Sequence, residues 1–156
     1  MSLARSLPNA QVYATDLSPS ALEVATHNCE RNGVIARVHL LPGELLQPLR
    51  GPVHVIAANL PYVPTATLDT LAPDVVQYEP LVALDGGTDG LQVIGRLLAQ
   101  VKDYLLPGGV VVLEIGAGQG KQVVELAQQC LPSAQVELFR DYAGLERVVR
   151  VWTQGA

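Results

Sequence analysis

Long apolar runs are absent from this chain. No stretch approaches the roughly 18 consecutive apolar residues that a bilayer-spanning helix needs, so no helical membrane span is expected. A basic segment followed by an apolar leader is missing too, and the expected location is the cytoplasm. Cysteine is scarce: the two present, Cys29 and Cys130, lie far apart, each near the end of a predicted helix. They lack metal-ligand spacing and are read as buried thiols in a reducing compartment, with no metal site. Basic charge is in short supply. Ten Lys and Arg against fifteen Asp and Glu leave a net charge of −5, which argues against a nucleic-acid backbone as the main partner. Low-complexity tracts and linkers are also lacking. What is there is 156 residues, 49% of them hydrophobic, enough for one domain with a sizeable core.

The order of elements predicts an α/β fold. Residues 12–15 form a short strand, Asp16 stands at its end, and Ser18 caps a helix that carries Pro19 in its first turn. Leu22, Ala25 and Cys29 share one face of that helix, which Gly33 stops. Residues 37–41 make a second strand that ends at Pro42-Gly43-Glu44. Residues 53–58 make a third, whose nearly continuous apolar character suits a strand covered on both faces. Residues 63–87 show no sustained period and are expected to be a long, partly ordered loop of functional use. Leu91, Ile94, Leu98, Val101 and Leu105 mark an amphipathic helix, ended by Pro107-Gly108-Gly109. A buried strand over 110–115 and a helix to about Cys130 follow. Strands over 135–139 and 147–152 are joined as a hairpin by Asp141-Tyr142-Ala143-Gly144. Alternation of this kind gives a mostly parallel sheet with helices on both faces, closed by a C-terminal antiparallel pair.

Two segments carry candidate chemistry. Asn59-Leu60-Pro61-Tyr62 ends the third strand, where a carboxamide, a rigid backbone carbonyl and an aromatic ring can hold a flat NH2 group from both edges and one face. In this the segment resembles methyltransferases that act on planar amino or amide nitrogen, a resemblance that implies S-adenosylmethionine (AdoMet) as the methyl donor. Glu114-Ile115-Gly116-Ala117-Gly118-Gln119-Gly120 has the form of a nucleotide loop, between a strand and a helix, with Asp141 placed as a distant ribose acid. A faint internal echo relates residues 7–12 to 131–136. Two features favour the other reading, a tight strand-to-helix turn late in the sheet: the strand after Asp141 belongs to a hairpin instead of a further βαβ unit, and Asp16 already stands ready as a ribose acid.

The series Asn59-Leu60-Pro61-Tyr62, residues 78–87 (YEPLVALDGG), Asp89-Gly90-Leu91, Leu106-Pro107-Gly108-Gly109 and Leu113-Glu114-Ile115-Gly116 resembles, in order, the HemK/PrmC-type protein-(glutamine-N5) methyltransferases. The resemblance runs from about Leu7 to Trp152. It implies a Rossmann-like class I fold and methylation of the glutamine in the Gly-Gly-Gln loop of peptide-chain release factors. It implies that Asn59, Pro61 and Tyr62 do the catalytic work: the Asn59 oxygen accepts one N–H of the substrate amide, a carbonyl near Leu60 or Pro61 accepts the other, and Tyr62 packs against the amide. Asp16, Leu17, Gly43, Glu44, Leu45 and Asn59 would line the AdoMet site, with Asp16 on the ribose, Glu44 near the adenine amino group and Leu45 on its face. Glu79 and Pro80 would join Asn59, Leu60, Pro61 and Tyr62 around the substrate. Leu60 replaces the family's usual second proline, and Glu44 and Leu45 also depart from its pattern.

Residues 1–156 then stand for part of a catalytic domain. The family's N-terminal release-factor-binding domain, first sheet strand and first glycine-rich loop have no counterpart here. Lacking that strand, two neighbouring strands would keep unpaired backbone groups, and cofactor binding by this chain alone would be impaired. Two other readings compete. Asn-Leu-Pro-Tyr also resembles the motif of ribosomal RNA adenine dimethylases, which makes adenine N6 an alternative acceptor. The chain could also be a non-catalytic fragment of the family.

Overall fold

The computed structural model describes residues 1–155. They fall into two compact units, residues 1–51 and residues 52 onward, each with its own sheet.

The first unit contains helix α1 (Ser2–Ser6), strand β1 (Val12–Asp16), helix α2 (Pro19–Arg31), a 3-10 turn (Ile35–Arg37) and strand β2 (Val38–Pro42). Its strands are parallel, with Val12 opposite Val38 and Asp16 opposite Pro42. The ends of α2 follow its sequence. The Ser18 hydroxyl accepts from the Ala21 amide at 3.2 Å, and Pro19 occupies the first turn, where its missing N–H costs nothing. At the other end Gly33 adopts φ +65°. The Val34 amide then reaches back to the Cys29 carbonyl and the Gly33 amide to that of Glu30, both at 3.0 Å, a Schellman closure that an L side chain at 33 would strain. Ala4, Cys29, Val34 and Val38 are buried together, with Val12 and Leu40 packed against them. Arg37 ties down the segment before β1: its guanidinium donates to the carbonyls of Ala4, Leu7 and Ala10, which satisfies the end of the short α1.

The second unit contains strand β3 (Val53–Asn59), a 3-10 segment (Thr65–Thr70), helices α3 (Pro73–Tyr78), α4 (Leu81–Leu84) and α5 (Gln92–Tyr104), strand β4 (Leu105–Glu114), helix α6 (Gly120–Cys130), and strands β5 (Gln135–Arg140) and β6 (Glu146–Trp152). Its sheet has the order β3-β4-β6-β5. β3 and β4 are parallel, and β6 is antiparallel to both β4 and β5. Ile94, Leu97, Leu98 and Val101 are buried on α5 at the i, i+3, i+4, i+7 spacing of one helical stripe. Val123 and Ala127 of α6, with Ile56, Val111, Leu113, Val149 and Val151 of the sheet, are buried as well. Burial of a valine or leucine side chain contributes about 1.5–3 kcal/mol, and this alternating set fixes the register, since a one-residue slip would turn it outward. On the opposite face Arg150 lies over two rings, 4.5 Å from the centre of Trp152 and 5.4 Å from that of Phe139.

Four expectations need correction. Residues 63–87 are not an extended loop, because Pro64 and Pro73 each open a short helical segment. β3 is not covered on both faces: it lies at the sheet edge, Ile56 is buried, and Val55 on the other face is half exposed. β4 starts at Leu105, earlier than expected, because that residue pairs with Val53 across an irregular stretch holding Pro107-Gly108-Gly109. Cys130 is only partly buried, whereas Cys29 is fully so, and both thiols are free. Among the described residues β1 pairs only with β2, and β3 only with β4.

Candidate active site

Parallel strands direct their carboxyl ends to one edge of a sheet, and the loops that leave that edge carry function in α/β folds. In the second unit β3 ends at Asn59, in register with Glu114 at the end of β4. The Asn59 side chain is exposed and makes no hydrogen bond among the described residues. Leu60, Pro61 and Tyr62 follow, each half-buried. The carbonyls of Leu60 and Pro61 accept no hydrogen bond among the described residues, whereas that of Tyr62 accepts from Gln119 Nε2 at 2.9 Å. The Tyr62 ring lies against Gly116, where an added Cβ would come within 3.2 Å of Cδ2.

The turn over residues 85–91 braces this tetrapeptide. The Val63 amide donates to the Leu84 carbonyl at 3.0 Å, the Gly86 amide to Val63 at 2.8 Å, and the Thr65 amide to Gly87 at 3.0 Å. The Thr65 hydroxyl donates to Asp85 Oδ1 at 2.7 Å, and the Gly87 amide to the same oxygen at 2.9 Å. The Thr65 hydroxyl, then the Gly87 amide, hold the Asp85 carboxyl below its ordinary value. Glu79 and Pro80 lie at the exposed junction of α3 and α4, and among the described residues the Glu79 carboxylate makes no hydrogen bond to the tetrapeptide. Their placement at a substrate is an expectation that these contacts do not carry.

In the first unit the predicted cofactor residues gather at the carboxyl ends of β1 and β2. The Gly43 amide donates to the Asp16 carbonyl at 3.0 Å. Asp16 Oδ1 accepts from the Ser18 amide at 2.8 Å, so one carboxylate oxygen shapes the turn while the side chain as a whole stays exposed. Leu17 is 59% exposed. The Thr15 hydroxyl donates to the Leu45 carbonyl at 2.7 Å. Leu45 has φ +51°, the one non-glycine with positive φ among the described residues, and such strain clusters at ligand sites. Gly43 has φ +144°, and a Cβ there would meet Pro48 at 2.5 Å. An exposed acid and a strained, half-buried leucine are groups that could hold the ribose and the flat base of an adenosine.

The Gly116–Gly120 loop does not keep its two end amides free for a phosphate. The Gly116 amide is taken by Gln119 Oε1 at 2.8 Å, and the Gly120 amide by Glu146 Oε2 at 3.2 Å. The carboxylate of Glu146 thus already faces the α6 N-terminus. Asp141 is no ribose acid either: it accepts from the Ala143 and Leu145 amides and pairs with Arg147, which holds the hairpin turn. Gln119 is the residue that sequence reasoning missed. Its place within the glycine loop is the one local signal, and neither a nucleotide site nor a tight strand-to-helix turn points to a side-chain clamp there. Among the described residues no cluster of His, Cys, Asp or Glu could hold a metal, and no helix is long and apolar enough to cross a membrane.

Residues 2–86 match the family model described as ribosomal protein L11 methyltransferase (PrmA). The release factor glutamine methyltransferase of Moorella thermoacetica is 48% identical over 148 residues, which cover 94% of this chain and 52% of that protein. The chain belongs to the release factor glutamine methyltransferase family. It spans about half the length of the family's curated members that it matches. Its fold is that of a class I methyltransferase: a Pyrococcus furiosus methyltransferase superposes with a TM-score of 0.71 at 23% identity, covering 99% of this chain and 68% of the other. A Streptococcus mutans methyltransferase solved with S-adenosylhomocysteine superposes with a TM-score of 0.54 at 20% identity, covering 91% and 75%. The L11 model and the release factor relatives agree on methyl transfer and differ in target. The relatives match through residues 87–156, which hold the second half of the motif series, and they decide the family.

Proposed function

We propose that this chain is the core of an AdoMet-dependent enzyme that methylates the side-chain nitrogen of the Gly-Gly-Gln glutamine in peptide-chain release factors. The observation that carries the reading is Asn59-Leu60-Pro61-Tyr62 at the carboxyl end of β3, with an uncommitted carboxamide and two uncommitted carbonyls beside a tyrosine ring. The S. mutans neighbour's bound product and the relatives' names support the cofactor and the target.

AdoMet supplies an electrophilic methyl group on a sulfonium. The chain's own residues then have one main task, to orient a weak nucleophile. A glutamine nitrogen lends its lone pair to its carbonyl. Asn59 Oδ1 accepts one N–H, and the carbonyl of Leu60 or Pro61 accepts the other. Tyr62 covers one face of the amide. Held on both N–H groups, the nitrogen keeps a fixed direction, and alignment of this kind is worth several kcal/mol. Asp16 would accept from the ribose hydroxyls and Leu45 would pack on the base, with Glu44 and Gly43 beside them and Leu17 next in chain. Residues 1–156 form part of the catalytic domain. The grip on the methionine end and the domain that docks the release factor come from sequence outside them.

The test offers radiolabelled AdoMet with a release factor and with ribosomal RNA side by side, followed by mass analysis of the Gly-Gly-Gln peptide. A single added methyl on that glutamine is expected. Label on RNA alone would reverse the choice of target, in favour of adenine N6.

A further inference from the structure

The Gly116–Gly120 loop has a use that nucleotide binding does not supply, and it centres on Gln119. Its carboxamide reaches three separate segments. Oε1 accepts from the Gly116 amide at 2.8 Å, and Nε2 donates to the Tyr62 carbonyl at 2.9 Å and to the Gly90 carbonyl at 3.4 Å. Tyr62 and Gly90 lie 57 and 29 positions away in the chain. An amide group offers two donor hydrogens and one acceptor oxygen, and here all are directed at backbone. The fit is tight. A Cβ on Gly90 would stand 2.3 Å from the Tyr62 oxygen and 2.7 Å from Gln119 Nε2, and a Cβ on Gly116 would stand 2.7 Å from Gln119 Oε1. Glycine at both places lets the carboxamide lie between the two segments.

The clamp acts on the candidate site through the backbone. Asn59 is fixed by the β3–β4 ladder. Three residues later the Tyr62 carbonyl is fixed by Gln119, and Val63 by Leu84 and Gly86. Only Leu60 and Pro61 lie between the two anchored points, and Pro61 has a locked φ. The directions of their two uncommitted carbonyls are therefore set from both sides. Misplacement of a hydrogen-bonding group by about 1 Å can cost roughly a hundredfold in rate.

We propose that Gln119 is a positioning residue for the acceptor amide: by holding the Tyr62 carbonyl it aims the Leu60 or Pro61 carbonyl at the substrate's second N–H. The assignment rests on the proposed methyl transfer for its purpose, but the clamp itself can be tested without catalysis. Gln119→Glu keeps the size and the acceptor for Gly116 and replaces the donor with an oxygen facing the Tyr62 carbonyl. Gln119→Met keeps the volume and removes both bonds. Amide hydrogen exchange is measured at Val63, Thr65 and Gly86, with Val111 and Val149 as core controls that show the variants fold. Loss of the hydrogen bond should speed exchange at the three loop amides by roughly tenfold while the core controls stay protected. Unchanged loop exchange, or equal acceleration in the core, would overturn the clamp. In methyl-transfer assays both variants should lower kcat by roughly tenfold or more and leave the KM for AdoMet unchanged. A wild-type kcat in both variants, with Asn59→Ala inactive, would overturn the positioning role. The transfer assays use a protein in which residues 1–156 are joined to the segments that grip the methionine end and dock the release factor; should that protein, unaltered, transfer no methyl, the functional reading fails and the exchange data alone judge the clamp.

Discussion

Asn59 and Glu114 are Cα partners at the carboxyl ends of two neighbouring parallel strands. Strands in a sheet lie about 4.8 Å apart, and in-register partners send their side chains to the same face. The uncommitted carboxamide of Asn59 therefore stands beside an acid. A neutral amide tolerates that neighbour, whereas a second carboxylate would be repelled by it.

Asn59→Ala should lower kcat/KM for methyl transfer by about a hundredfold or more, since one of two hydrogen bonds that orient the acceptor is lost. Asn59→Asp should do no better, despite retaining an oxygen. Because the side chain is exposed, unfolding free energy should change by no more than about 0.5 kcal/mol. Steady-state kinetics and a denaturant titration check the two halves of this expectation.

Gly90 has φ +75°, and a side chain there would strike the Tyr62 carbonyl. Gly90→Ala should destabilise the second unit by about 1–3 kcal/mol. Gly118→Ala removes a similar φ of +86° but has open space around it, so its cost should be smaller. Urea midpoints of the two variants rank them.

Asp141 and Asp85 both have carboxyls held below the ordinary 3.8. For Asp141 the chief cause is the Leu145 amide, with Arg147 and the Ala143 amide adding to it. For Asp85 it is the Thr65 hydroxyl. A depressed carboxyl stabilises the folded state above its unfolded value and loses that contribution as pH falls through the folded one. Stability should therefore be flat above pH 3.8 as far as these groups are concerned, and decline below it. Asp141→Asn should flatten the acid limb of a plot of stability against pH, with the larger change seen at the hairpin.

β3 presents Val53-His54-Val55-Ile56-Ala57-Ala58 along a sheet edge with no Lys, Glu or Pro among these residues. Edges of this composition promote strand pairing between molecules. Val55→Lys, at a half-exposed position, should lower concentration-dependent association measured by light scattering. Association unaffected by that charge would mean the edge is not its source.

Much of the fold could be read from local chemistry. The Ser18 cap, the Gly33 stop, the α5 stripe and the Asp141–Gly144 turn are devices whose cause lies within a few residues, and each stands where the chain announces it. The position of the Asn59 tetrapeptide at the end of a strand was legible for the same reason, since its residues are consecutive. The helical turns opened by Pro64 and Pro73 were not, because stretches of six residues show too little period to detect. The exposure of β3 was hidden because apolar composition does not tell a covered strand from one at a sheet edge. Gln119 was hidden because its bonds join segments 29 and 57 positions distant, a relation that no spacing rule encodes.

Trp152 is the sole tryptophan of the chain, seated on β6 beneath the Arg150 guanidinium. Its emission is thus an intrinsic optical label for the C-terminal hairpin, quenched or shifted as the cation leaves the indole. Residues 1–51 are dark at that wavelength. Fluorescence and far-ultraviolet circular dichroism, followed through one melt, would show whether the two sheets come apart in a single event or in succession.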